Sequence, residues 1–325
     1  MKKYVDLHLH LDGAITVEIA RRLAALQNID LPADDRELEK RLTVSEGCQN
    51  LTEFLECFAL PCALLQTPEG LSEALYLVAE NIRSQGVVYA EIRFAPQKHT
   101  DRGMTQEEAV LAALKGLKRT SLKANLILCG MRDKGNEAEN LETVRLAKKY
   151  LVEDGGVVAV DLAGAEALFP TADFAYIFDK AKELDLPYTI HAGEADGPDS
   201  IRAALDFGAK RIGHGVTLYK DPALLERVLE EGVTLEMCPT SNVQTQAVDD
   251  MADYPFTAYL KKGIKVTLNT DDMGIEGTTL AREFTYMEET FGLTEADEKV
   301  ILENAVAAAF TTEAVKAELR KELGL

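Results

Sequence analysis

His8-Leu9-His10 sets two imidazoles two residues apart at the end of a short apolar run, where the alternation of a strand turns both toward one face. Three more clusters follow far downstream: His191-Ala192-Gly193-Glu194, Gly213-His214-Gly215 and Asn269-Thr270-Asp271-Asp272. Each closes a segment rich in β-branched or apolar residues, so four of the five histidines fall at expected strand ends. Neutral imidazoles with a carboxylate form a borderline-soft nitrogen and oxygen site suited to zinc, and a catalytic zinc keeps one position for water. His8, His10, His191 and Asp271 supply that set, with one zinc per chain.

Glu194 follows His191 by three residues, so it can stand at the rim of a pocket without ligating the metal. Partial burial there raises a carboxyl pKa toward that of a general acid. His214 lies between two glycines, which let the backbone approach closely and leave the ring as the only bulk at that point. Adjacent Asp271 and Asp272 cannot both face inward from an ideal strand, so one is expected to bind metal while the other turns to substrate or to the attacking water. His99 follows Pro96 in a loop without a partner cluster and reads as structural or exposed. Asp161-Leu162-Ala163-Gly164 and Cys238-Pro239-Thr240-Ser241-Asn242 are strand ends that mean little alone.

These positions need a scaffold that brings distant strand ends together. Short β-type runs recur at Tyr4–Leu9, Val87–Phe94, Asn125–Cys129, Val157–Leu162, Tyr188–Ile190, Arg211–Gly213, Val233–Met237 and Lys265–Leu268. Helical patterns lie between them, among them Thr105–Lys123, Asn140–Glu153, Phe174–Leu184, Ser200–Phe207, Pro222–Glu231 and Ala252–Lys262. Eight such units predict an α/β fold, a (β/α)8 TIM barrel, whose catalytic groups gather at the C-terminal ends of its strands. A doubly wound open sheet is the second choice. The first crossover, Gly13 to Gly86, holds extra helices at Val17–Leu26, Leu51–Leu65 and Leu71–Ser84. Three more helices, Leu280–Phe291, Glu295–Ala308 and Thr312–Glu322, follow the last strand. No linker or repeat divides the chain, so residues 1–325 are read as one domain.

The balance of 35 basic against 55 acidic residues, net −20, repels a phosphate backbone and argues against nucleic acid. A small soluble substrate is favoured, and no protein partner is predicted. Five cysteines without a C-x-x-C pair indicate reduced thiols rather than a disulfide framework. The first strand begins directly after Met1-Lys2-Lys3, and no later run approaches a membrane span, which together predict a cytoplasmic protein.

With Phe54-Leu55-Glu56-Cys57-Phe58 and Tyr89-Ala90-Glu91-Ile92-Arg93-Phe94-Ala95-Pro96, the histidine and aspartate clusters resemble the adenosine deaminase family over most of the chain, from Val5 to about Asp272. The resemblance implies zinc-dependent hydrolytic deamination of adenosine, and of 2′-deoxyadenosine, to the 6-oxo product and ammonia in purine salvage. It implies zinc ligands His8, His10, His191 and Asp271, and catalytic roles for Glu194, His214 and Asp272. Glu194 would protonate N1 of the purine, while His214 and Asp272 orient the attacking water and take its proton. Beside the metal, His10 would also border the substrate. Asp12 would meet the ribose, and the Gly164 backbone a purine ring nitrogen. Ala165, where the family commonly has an acid, and Met273, where proline is frequent, depart from the pattern and bear on substrate preference and loop shape. The alternatives are an adenine deaminase acting on the free base, or another metal-dependent amidohydrolase. The H-x-E and P-C-x-x-C plan of tRNA and DNA editing deaminases has no counterpart.

Overall fold

Eight parallel strands carry the site: β1 (Tyr4–His10), β2 (Val87–Phe94), β3 (Lys123–Arg132), β4 (Val157–Gly164), β5 (His191–Ala192), β6 (Arg211–His214), β7 (Thr234–Met237) and β8 (Lys265–Leu268). They are seen in a computed structural model that describes residues 2–45 and 47–325. β1 to β4 pair in chain order as one four-stranded sheet, and β5 to β8 as another. Backbone bonds stitch both seams. Asp271 N–H donates to the His8 carbonyl at 2.8 Å and His10 N–H to the Asp271 carbonyl at 2.9 Å, while Val160 N–H donates to the Pro187 carbonyl at 3.0 Å and Thr189 N–H to the Val160 carbonyl at 3.1 Å. The two halves thus form the expected (β/α)8 barrel.

The strands read as near-continuous apolar runs because helices cover the outer face and side chains fill the interior. Inside the barrel the charges stand paired, as Arg93 does with Asp161 and Glu236, while Lys123 and Lys265 stand at strand starts where the chain reaches solvent. The expected strand Tyr188–Ile190 is displaced: those residues give a single bridge, Val160 to Tyr188, and β5 is His191–Ala192. Pro187 cannot donate to a ladder, which delays regular pairing. The helix expected from Thr105 to Lys123 is Gln106–Leu117, opened by a reciprocal Thr105 and Glu108 capping box.

The long first crossover contains Val17–Gln27, Asp35–Leu42, Leu51–Leu55, Ala59–Leu64 and Pro68–Ser84. Asp35–Leu42 escaped the periodicity argument because six of its eight residues are charged and only Leu38 and Leu42 are buried. At the opposite end of the barrel the last two helices, Glu295–Ala308 and Glu313–Leu323, close the floor. Ala305, Val306, Ala309 and Leu319 pack there against Val5, Leu7 and Tyr89.

Candidate active site

β1, β5 and the turn after β8 bring three imidazoles and one carboxylate together. His191 Nε2 lies 3.1 Å from both His8 Nε2 and His10 Nε2, and Asp271 Oδ1 lies 3.3 Å from the first and 3.4 Å from the second of these. The four donor atoms all fall within 4.8 Å of one another. Behind the rings, His8 Nδ1 is 2.8 Å from Glu236 Oε2 and His191 Nδ1 is 2.9 Å from Asp161 Oδ2. Glu236, which only accepts, fixes the proton on His8 Nδ1 and leaves Nε2 as a bare lone pair turned inward, and the Asp161 charge beside His191 Nδ1 favours the same tautomer there. Two such lone pairs 3.1 Å apart repel unless a cation lies between them. The donor set therefore fits a divalent metal.

Two local features bring this geometry about. Asp271 and His214 both adopt left-handed backbone, with φ of 60° and 64°, at a cost of about 1–3 kcal/mol each that the surrounding pairing must hold. The turn at Asp271 changes one expectation: an ideal strand would face Asp271 and Asp272 oppositely, whereas here both line the same cavity. Gly213 is the second feature, since a Cβ there would stand 2.9 Å from the His8 ring.

The cavity measures about 300 Å³, and its walls include His10, Asp12, Gly164, Glu194, His214 and Asp272. Every residue expected at the site except His8, which is buried behind its edge, therefore contacts this space. Leu51, Phe54, Leu55 and Phe58 supply an apolar wall from the first crossover. His99 is not part of it. Its ring is fully buried against Phe94, 5.8 Å between centroids, and neither side of the ring meets the cavity.

Glu194 receives a bond from Thr245 Oγ1 at 3.1 Å and faces His214 Nε2 at 3.7 Å. Burial, then the nearby Asp271 and Glu166 carboxylates, push its pKa up to about 8, so it is neutral near pH 7. Its loop hangs on Glu166. That buried carboxylate accepts from Gly193, Glu194 and Ala195 N–H at 2.6, 2.9 and 2.5 Å, and from the Ser200 hydroxyl.

His214 is held neutral by burial. Tyr254 donates to Asn242 Oδ1 at 2.9 Å, which turns the Asn242 amide so that Nδ2 donates to His214 Nδ1 at 3.0 Å. The proton then resides on His214 Nε2, aimed at Glu194 and at Asp271 Oδ2, 3.9 Å away. Ser241 holds that same Asp271 oxygen at 2.7 Å. Burial and the Asp271 charge raise the Asp272 pKa well above the carboxylate range, and Asp272 Oδ1 has no hydrogen-bond partner among the described residues. Asp12, pushed up to about 6 by burial, likewise leaves Oδ1 unpartnered while Cys62 Sγ stands 3.7 Å from Oδ2.

Arg93, Asp161, Glu236, Ser241, Asn242 and Glu166 were not identified as functional from the sequence. The available signal was a charge inside an apolar parallel strand, as in Val157-Val158-Ala159-Val160-Asp161 and Val233-Thr234-Leu235-Glu236. Such a charge is tolerated only when paired.

Comparison with known proteins bears on this geometry. The sequence model of the family described as adenosine deaminase matches residues 4–324. An adenosine deaminase of Haemophilus ducreyi is 48% identical over 313 residues, 94% of this chain and 91% of that one. Another, from Enterococcus faecalis, is 38% identical over 98% of this chain and 95% of its own. Among solved structures, the adenine deaminase of Arthrobacter aurescens superposes with a TM-score of 0.90 at 28% identity, covering 100% of this chain and 98% of that one.

Proposed function

We infer, for a chain that belongs to the adenosine deaminase family, that the cavity at the barrel mouth carries out hydrolytic deamination at C6 of a purine nucleoside. The enzyme is an adenosine deaminase, a hydrolase acting on a C–N bond. The observation that carries the site assignment is the facing of two kinds of group across one small space. Three inward imidazole nitrogens and Asp271 stand on one side, and the buried carboxyl of Glu194, 3.7 Å from His214 Nε2, stands near them.

His8, His10, His191 and Asp271 would hold one zinc ion. Zinc bound there would lower the pKa of a water from about 16 toward roughly 7. Glu194 then donates its proton to N1 of the purine, which relieves the charge that addition of water at C6 would place on the ring. His214 Nε2–H orients the attacking oxygen. Asp272, whose Oδ1 faces the cavity without a bond to another described residue, accepts the proton from that oxygen and passes it to the departing amino group. Water adds one oxygen to C6, ammonia carries away the amino nitrogen with one of the water's protons, and the other restores Glu194, so the product is inosine. Asp12 is placed to receive a ribose hydroxyl on its unpartnered Oδ1, and Gly164, with φ of 103°, presents backbone rather than a side chain to the ring. 2′-Deoxyadenosine belongs to the same substrate class.

The family match over nearly the full length supports reading the chain as one catalytic domain. No helix among the described residues is long and apolar enough to cross a membrane, and all five cysteines are free, which suits a reducing cytoplasm.

The direct test is the change in ultraviolet absorbance when purified zinc-loaded enzyme meets adenosine, with adenine in parallel. Turnover of adenosine is expected. Turnover of adenine alone would move the substrate to the free base, and silence with both would overturn the site assignment.

A further inference from the structure

Arg93 is fully buried near the barrel axis, and its guanidinium joins two carboxylates that never meet in sequence. Nη1 donates to Asp161 Oδ2 at 2.7 Å, and Nη2 donates to Glu236 Oε2 at 2.8 Å and to the Leu7 carbonyl at 2.6 Å. The same two oxygens face the rings: Asp161 Oδ2 lies 2.9 Å from His191 Nδ1, and Glu236 Oε2 takes the proton of His8 Nδ1. One planar cation therefore lies behind both halves of the ligand set, from β1 and from β5. Arg211 completes the charge balance on the far side, with Nε on Glu236 Oε1 at 2.7 Å and Nη1 on Glu91 Oε2 at 2.6 Å.

We propose that Arg93 is a positioning residue that couples His8 to His191 and thereby sets the affinity of the metal centre. This rests on the metal-site reading above. The physical reason has two parts. A fork with two donors can hold two carboxylates at a fixed separation, which a single ammonium cannot reproduce. Sharing each carboxylate oxygen with an arginine also draws charge from it, so the oxygen orients the imidazole N–H without removing its proton. Without Arg93, Asp161 and Glu236 would be buried anions with one neutralising partner fewer, and each would be free to swing its histidine out of line.

The experiment is a zinc titration of metal-free protein against a competing chromophoric chelator, on the wild type, Arg93→Lys, Asp161→Asn, Glu236→Gln and the double variant Asp161→Asn/Glu236→Gln, with melting temperature recorded for each metal-free form. Arg93→Lys keeps the charge and is expected to weaken zinc binding by about 10- to 100-fold. Asp161→Asn and Glu236→Gln are each expected to weaken it similarly, and the double variant by less than the product of the two, because both break one coupled unit. Lowered melting temperature with unchanged zinc affinity in Arg93→Lys would overturn the proposal, as would strictly multiplicative losses in the double variant should Arg93→Lys not fold. Failure of the wild type to bind zinc would instead strike the metal-site reading itself.

Discussion

Asp272 occupies the room that a side chain at position 13 would need: a Cβ built on Gly13 would stand 1.7 Å from Asp272 Oδ1. The glycine after Asp12 is thus part of the proton-handling machinery, although it has no side chain. Gly13→Ala should push the Asp272 carboxylate aside and lower kcat/KM for adenosine by about 10²–10⁴-fold, the range of a lost acid–base group. Zinc content should stay near one per chain, because Asp272 is not among the four ligands. Steady-state kinetics with metal analysis on the same sample checks both halves.

The loop of Glu194 depends on one buried carboxylate. Glu166→Gln would replace an acceptor serving three backbone N–H groups by an amide that must turn one end to them as a donor. Charge-assisted bonds of this kind are worth about 1.5–3 kcal/mol each. The expected outcome is a lower melting temperature together with a fall in kcat larger than the rise in KM, since the acid is displaced more than the ribose site. Retained kcat would show that the loop holds its shape by other means.

Asp12 presents an unpartnered buried oxygen to the cavity. Asp12→Ala should raise KM for adenosine by roughly 10- to 100-fold, corresponding to the 1.5–3 kcal/mol of a hydrogen bond to a charged group. The loss should be much smaller for a purine analogue without the sugar hydroxyls. Parallel kinetics on the two substrates decides it.

Three buried carboxyls have pKa values raised by burial: Glu194 and Asp12 in the cavity to about 8 and about 6, and Asp6 on β1 to about 6. In the unfolded chain the same groups titrate near 4. Between these values the folded metal-free protein binds more protons than the unfolded one, so stability is greatest below about pH 4 to 5 as far as these groups decide it, and falls as pH rises through 6 to 8. Melting temperature of the metal-free enzyme should therefore drop between about pH 7 and 8, above the range in which the buried histidines, their pKa values lowered by burial, contribute the opposite slope, and Glu194→Gln should flatten that drop. Zinc should stabilise progressively more as pH rises, because it replaces protons as the source of positive charge.

Much of this was legible because the chemistry follows chain local pattern. His8 and His10 share a face by simple strand alternation, and the histidine clusters lie at the strand ends expected of a barrel. What escaped lay in non-local pairing. Asp161 and Glu236 look like stray charges in apolar strands until Arg93, from β2, is seen between them. The two aspartates at the last cluster were expected to face apart, and only the left-handed turn at Asp271 brings both into the cavity. The shift of β5 to His191 reflects Pro187 and pairing across the seam, neither of which periodicity reports.

The central claim is that Glu194 is the acid of a zinc-dependent deamination. It is tested most directly by the kcat of Glu194→Gln for adenosine, measured on protein shown to carry one zinc per chain. A fall of about 10²–10⁴-fold with zinc retained is predicted. Near-normal turnover with zinc in place would contradict it.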